Sequence, residues 1–119
     1  FCSLQKGAGA DEATVLSGQW PVTDYGPELD DFATTAALIV NLDLVISVDT
    51  AVAHLAGALA RPTWLLNRAE SEWRWLLERE DSPWYPTMRL FRQRVPRQWD
   101  VPVEAVHAAL RARLAEGAA

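Results

Sequence analysis

Leu44-Val45-Ile46-Ser47-Val48-Asp49-Thr50-Ala51-Val52-Ala53-His54-Leu55-Ala56-Gly57-Ala58-Leu59-Ala60-Arg61-Pro62-Thr63-Trp64-Leu65-Leu66 is the stretch that decides the fold. Leu44 to Val48 is a nearly unbroken β-branched and apolar run, the composition of a strand buried on both faces of a parallel sheet, and it predicts a central strand. Asp49 or Thr50 can cap a helix that runs to about Leu59. Arg61-Pro62 stops that helix, and Thr63 to Leu66 supplies the next strand. The fourteen positions 49–62 are enough for a crossover helix, so the segment is a βαβ unit, its connection should be right-handed, and the sheet is at least partly parallel.

Working outward, Phe1 to Gln5 reads as a first strand, followed by the small-residue loop Lys6 to Ala10 and a short helix from Asp11 to Leu16 that Ser17-Gly18 breaks. Val22 to Tyr25 is a second short strand ending at Gly26-Pro27. From Leu29 the apolar positions Leu29, Phe32, Ala36, Ile39 and Val40 recur at helical spacing. Asp30 and Asp31 lie in the first turn, where the helix dipole favours negative charge. On the other side, Ser71 caps a short helix carrying Trp73, Leu76 and Leu77 on one face, ahead of the rigid loop Asp81 to Pro86. Met88 to Arg92 is a further strand. Asp100 and Pro102 open a last helix whose stripe Val103, Val106, Leu110 and Leu114 is predicted to pack inward, with Arg111 and Arg113 near its end and Gly117 beyond. The fold class is therefore α/β, with an open, mainly parallel sheet and flanking helices.

Composition narrows the function classes. With 119 residues and 50% hydrophobic content, the chain is long enough for one domain spanning 1–119 to bury a core without disulfides or metals. Its 16 acidic and 11 basic residues give a formal charge of −5, which argues against nucleic acid as a partner because a phosphate-backbone binder needs a basic face. Cys2 stands alone, so no intrachain disulfide forms, and a cytoplasmic setting is expected. No apolar run approaches the roughly 20 residues that a membrane-spanning helix needs, so no transmembrane segment is expected. The chain opens on a strand-like run without an initiator Met, as a fragment of a longer protein would.

In open α/β sheets ligands gather at the carboxyl ends of strands, where free N–H groups and the helix dipole attract anions. The turn from Ser47 through Asp49 and Thr50 is such a place. Thr50 adds a hydroxyl donor, and Ala51, Ala53, Ala56, Gly57 and Ala58 either let a ligand approach closely or tighten helix-to-sheet packing. At about 100° per residue, His54 lies roughly 160° from the Val52, Leu55, Leu59 stripe expected to face the sheet. It is not a core histidine, and faces either the ligand cleft or solvent. Its place near a helix N-terminus favours the neutral ring.

Ser47, Asp49 and His54 do not make a hydrolase triad: there is no Gly-X-Ser-X-Gly elbow, and Ser47 precedes the strand end, where its side chain should point into the sheet packing. His54, His107 and Cys2 are too far apart for a metal-ligand motif, and no Gly-rich phosphate loop is present. Trp73, Trp75, Trp84 and Tyr85, interleaved with Arg74, Arg79 and Arg89, either stack on a base or sugar, anchor a neighbouring domain, or form a satellite core. Lys6, the only lysine, follows a strand end and either reaches a phosphate or stays solvated.

Phe1 to Lys6, Leu29 to Ile39 and Leu44 to Leu59, read together, resemble the C-terminal part of bacterial family 9 glycosyltransferase-like proteins, relatives of the heptosyltransferases of lipopolysaccharide synthesis. Glu72-Trp73-Arg74-Trp75-Leu76-Leu77, Ser82 to Pro86 and Arg89 to Gln93 are similar to the version fused behind tetratricopeptide repeats. The resemblance implies a glycosyltransferase-B type fold of two Rossmann-like domains facing across a cleft, of which this chain matches the C-terminal, donor-holding half, truncated at its N-terminus. It implies that a nucleotide diphosphate-sugar sits with its phosphates at Asp49, Thr50 and Ala51, with His54 nearby and Gln5 and Lys6 at the adjacent strand end. It further implies no metal and no cofactor, and a catalytic base from the N-terminal domain, so the chain alone should not turn over. Ala51 stands where heptosyltransferases usually carry Gly, and the run from Asn67 to Glu72 is less proline-rich than in those relatives. The competing expectation is a catalytically silent interaction module attached to the repeats. An exposed sheet edge would also allow a homodimer by strand addition.

Overall fold

A computed structural model describes residues 1–5, 18–19, 21–70, 75–76 and 79–118. They fall into two compact units, Phe1–Asn41 and Leu42–Ala119. Lys6, the helix expected from Asp11 to Leu16, and Trp73 and Leu77 of the helix expected after Ser71 lie outside the described residues.

In the first unit, strand β1 (Cys2–Ser3) pairs in parallel with β2 (Thr23–Asp24). Amides of the second strand's flank close the pair, Thr23 N–H on Phe1 O at 2.9 Å and Tyr25 N–H on Ser3 O at 3.0 Å. A single 3-10 turn follows at Gly26–Glu28. Gly26 is required there, since a Cβ would stand 2.2 Å from the carbonyl oxygen of Gln5.

Helix α1 (Phe32–Ile39) starts later than the Leu29 periodicity predicts. Asp31 is its N-cap, extended at φ −148° and ψ 172°, and its Oδ1 accepts the Thr34 N–H at 2.7 Å. This local bond ends the non-helical chain where hydrophobic spacing alone could not. The buried side is Thr35 and Ile39, whereas Phe32 is 69% exposed. The amide and then the hydroxyl of Thr34 hold the Asp31 carboxyl below its ordinary range. A depressed carboxyl stabilises the fold above its unfolded pKa, and that contribution is lost as pH falls through the lower folded value. Acidification into that window should therefore fray the first turn of α1, and Asp31→Ala should fray it at neutral pH. Amide exchange at Thr34 and Thr35 reads both effects.

The second unit contains β3 (Val45–Val48), α2 (Ala51–Ala58), β4 (Thr63–Asn67), β5 (Met88–Arg92) and α3 (Asp100–Ala118). The strands form a parallel sheet in the order β3-β4-β5, with Val45 opposite Thr63 and Thr63 opposite Met88. The expected βαβ unit is present, but among the described strands of this unit its first strand is not the central one. Among the described residues β3 pairs only with β4, and its Ile46 and Val48 are exposed, while Thr63, Trp64, Leu65 and Asn67 of β4 are buried. A β-branched run specifies a strand; which strand lies in the middle depends on what pairs on each side.

Alternation along β4 and β5 sends side chains to two cores. Leu65 and Leu90 join Ala53 of α2, Met88 and Trp75 on one face. Trp64 and Phe91 meet Val106 of α3 on the other, with Ala109 and Leu110 packed beside them. Helices on both faces of a parallel sheet are the Rossmann-like architecture expected. The inward stripe of α3 differs from the one read off its spacing: Pro102, Val106, Ala109 and Leu110 pack, while Val103 and Leu114 are exposed. Helix α3 meets the sheet with its N-terminal half, so the apolar periodicity persists beyond the packed residues to Leu114, which is exposed. Arg113 instead bonds the Asp43 carbonyl at 3.1 Å. No described helix is long and apolar enough to cross a membrane.

Helix α2 ends before Arg61-Pro62 acts on it. Ala60 takes φ 54°, with its N–H on Gly57 O and the Arg61 N–H on Ala56 O, both at 3.0 Å. This is a Schellman closure with alanine in the left-handed position that glycine favours. Ala60→Gly should therefore raise stability by about 0.5–1 kcal/mol, as a shift in the urea midpoint without a change in slope.

Candidate functional site

The turn after β3 is ordered by hydroxyl bonds. Ser47 Oγ lies 2.8 Å from Val48 O and 3.1 Å from Thr50 Oγ1. Its single proton serves the carbonyl, so Thr50 donates to Ser47. Ser47 thus folds onto the turn instead of pointing into the sheet packing. Thr50 is the N-cap of α2, at φ −138° and ψ 172°, but its side chain makes no capping bond. The first N–H groups of α2 have no acceptor within the helix and no side-chain cap, which leaves the positive end of its dipole available at an exposed turn. Ala51 is exposed at the first helical position.

Asp49 and His54 lie beside this end, each side chain 28% exposed, with His54 Nε2 3.2 Å from Asp49 Oδ1. The second carboxylate oxygen accepts the Trp75 indole N–H at 3.0 Å. His54 Nδ1 lies 3.0 Å from the Tyr85 hydroxyl. The imidazole stacks on Trp75 with ring centres 5.3 Å apart and takes the edge of Tyr85 at 5.8 Å. Trp75 itself is 0% exposed and belongs to the core. Of the described rings, Trp75 therefore packs in the core while contacting Asp49 and His54, and Trp84 is exposed.

Each of these side chains has a local cause. Ser82, buried, accepts the N–H groups of Trp84 at 3.1 Å and Tyr85 at 3.2 Å, which sets the direction of the Ser82-Pro83-Trp84-Tyr85 turn. Arg92 on β5 donates to the carbonyl of Trp75 and, at 2.9 Å, to that of Arg79. Burial first, then the charge of Arg79, lowers the Arg92 pKa from its ordinary value. Gly57 makes room for Tyr85, since a Cβ there would stand 2.6 Å from the ring.

The buried face of α2 is Ala53, Ala56 and Gly57, not the predicted Val52, Leu55, Leu59 stripe, which is only half-buried. Large rings pack against this helix, and small side chains are what let them approach. His54 flanks that face rather than opposing it. Of the small residues, Ala53, Ala56 and Gly57 serve packing; Ala51 and Ala58 are exposed.

The structure thus brings Asp49, Thr50, Ala51 and His54 together. Gln5 belongs to the other unit, where it is exposed and its N–H meets Ser3 Oγ at 3.3 Å. Trp75 and Tyr85 were legible as aromatics but not as the partners of Asp49 and His54. Among the described residues no group of three His, Cys, Asp or Glu side chains could hold a metal ion.

Residues 6–101, which include this turn and both rings, match the model of glycosyltransferase family 9 (heptosyltransferase). The chain belongs to glycosyltransferase family 9. It is also similar to Protein FlbA of Caulobacter vibrioides, 35% identical over 115 aligned positions, with 93% of this chain and 19% of FlbA covered. The family 9 chain therefore spans about a fifth of the length of that relative. No solved structure matches it.

Proposed function

We propose that this family 9 chain supplies the donor-binding part of a glycosyltransferase that moves a sugar from a nucleotide diphosphate-sugar, with the phosphates at Asp49, Thr50 and Ala51 and with His54 beside them. The observation that carries this reading is the side-chain-uncapped N-terminus of α2 at the carboxyl end of β3, one helical turn before His54. Such an end attracts anions through its N–H groups and its dipole. The same groups would stabilise a departing diphosphate without a metal or other cofactor. The catalytic base, an N-terminal domain and tetratricopeptide repeats belong to the rest of the proposed parent, which acts in the cytoplasm.

The test is titration with UDP, ADP and GDP and their sugars, read by amide shifts. Movement centred on Thr50 and His54 is expected, and no movement at millimolar ligand would overturn the reading. Thr50→Ala should weaken the nucleotide that binds by roughly threefold, about the lower range for one hydrogen bond.

A second reading, the catalytically silent interaction module, is favoured by one specific observation: the Asp49 carboxylate stands in the turn and the protein itself engages both nitrogens of His54. Absence of nucleotide binding together with capture of the repeat domain would support it. Dimerisation through the edge of β3 that no described strand of its unit pairs is a separate proposal, and a monomer by sedimentation would exclude it.

A further inference from the structure

We propose that Tyr85 is a positioning residue of this site: with the ring proton held on Nε2 by Asp49, the Tyr85 hydroxyl donates to Nδ1 and fixes the orientation of His54 that turns its Nε2–H toward the helix end. The inference follows from donor and acceptor chemistry. An ionised carboxylate only accepts, so the 3.2 Å contact between His54 Nε2 and Asp49 Oδ1 requires the proton on Nε2. In the neutral ring Nδ1 then carries a lone pair, and the group 3.0 Å away is the Tyr85 hydroxyl, which must donate to it. The chain of bonds therefore runs in one direction, from Tyr85 O–H to Nδ1 and from Nε2–H to Asp49.

Tyr85 is built for this task rather than placed by core packing alone. Ser82 accepts the Tyr85 amide, Gly57 leaves the gap its ring occupies, and the ring edge lies against the imidazole. Trp75 stacks on the same imidazole and holds the far oxygen of Asp49. With Asp49 anchored by the indole, the Nε2–H bond is the exposed one of the group, the other two being part-buried. An anion arriving at the helix end takes over that N–H while Asp49 keeps its indole partner. This last step rests on the donor-binding reading; the tautomer assignment does not.

The experiment uses the full chain with 15N-labelled histidine, with the His54 resonances assigned by their disappearance in His54→Gln. In the unsubstituted protein, the neutral ring is expected as the Nε2–H tautomer, with Nδ1 shifted as a hydrogen-bond acceptor. Finding the proton on Nδ1 overturns the proposal without any substitution. In Tyr85→Phe, which keeps the ring against Gly57, the Nδ1 resonance should move to that of a free unprotonated nitrogen. Affinity for the best-binding nucleoside diphosphate should fall roughly three- to tenfold, the range of one neutral hydrogen bond. An unmoved Nδ1 resonance in a folded Tyr85→Phe protein also overturns it. Should the tautomer and the Tyr85→Phe shift of Nδ1 both be as expected while no nucleotide binds, positioning by Tyr85 stands and the donor-binding reading fails.

Discussion

Trp75→Ala is expected to lower the unfolding free energy by about 3–5 kcal/mol, the range for deleting a fully buried aromatic. Trp75 is 0% exposed and packs with Ala53, Leu65, Met88 and Leu90, so its removal opens a cavity between α2 and the sheet. It also removes the indole donor of Asp49 and the face on which His54 stacks. For a domain of ordinary stability, about 5–15 kcal/mol, this is a large share of the total. Trp75→Phe separates the two losses: most of the packing survives and the N–H does not, for an expected cost of about 0.5–1.5 kcal/mol, the net contribution of one hydrogen bond to a carboxylate that water can still reach. Urea unfolding of both variants checks the pair. A loss under about 1 kcal/mol for Trp75→Ala would mean that the site is not keyed into the core.

Gly57→Ala should destabilise, against the usual trend for a helix. At an exposed helical position this change gains about 1 kcal/mol. Here the added Cβ would meet Tyr85 Cγ at 2.6 Å and Cδ1 at 2.8 Å, which are atoms near the root of the ring and cannot swing aside as a chain end could. Overpacking of this kind costs about 1–3 kcal/mol. The displacement should also lengthen the Tyr85 bond to His54, so the proposed nucleotide binding should weaken along with stability. A Gly57→Ala protein more stable than its parent would show that Tyr85 does not press on α2. Unlike Tyr85→Phe, this substitution moves the hydroxyl without deleting it, and the two together separate distance from chemistry.

Much of the fold was legible in the residues because it rests on short-range rules. Thr23–Asp24, Ala51–Ala58 and Met88–Arg92 formed where turn residues, caps and periodicity put them. The candidate site was legible in part. Asp49, Thr50, Ala51 and His54 are close in sequence, and a strand followed by a helix brings them together whatever surrounds them. Trp75 and Tyr85 were not legible as their partners, because they reach Asp49 and His54 across 26 and 31 positions, held by the Ser82 turn and by Arg92 on the next strand.

The misplaced faces have the same origin. Periodicity marked α1, α2 and α3 as helices, yet Phe32, Val103 and Leu114 are exposed, and α2 buries Ala53, Ala56 and Gly57 in preference to its larger residues. Apolar spacing reports that one side of a helix suits burial. It does not report what approaches, and two rings approaching α2 make the smallest side chains the buried ones.

The sequence by itself determined the βαβ unit, the parallel class of the sheet, the turn at Asp49 and Thr50, and membership of family 9, since each follows from residues within a turn or a pleat of one another or from a motif read in order. Only the tertiary structure decided that β4 is central among the described strands, that Ser47 folds onto its own turn, and that His54 is held between Asp49 and Tyr85 over Trp75. The physical reason is that strand order, burial and side-chain hydrogen bonding depend on which distant segments return to the same place, and that is settled by packing the whole unit rather than by any local preference.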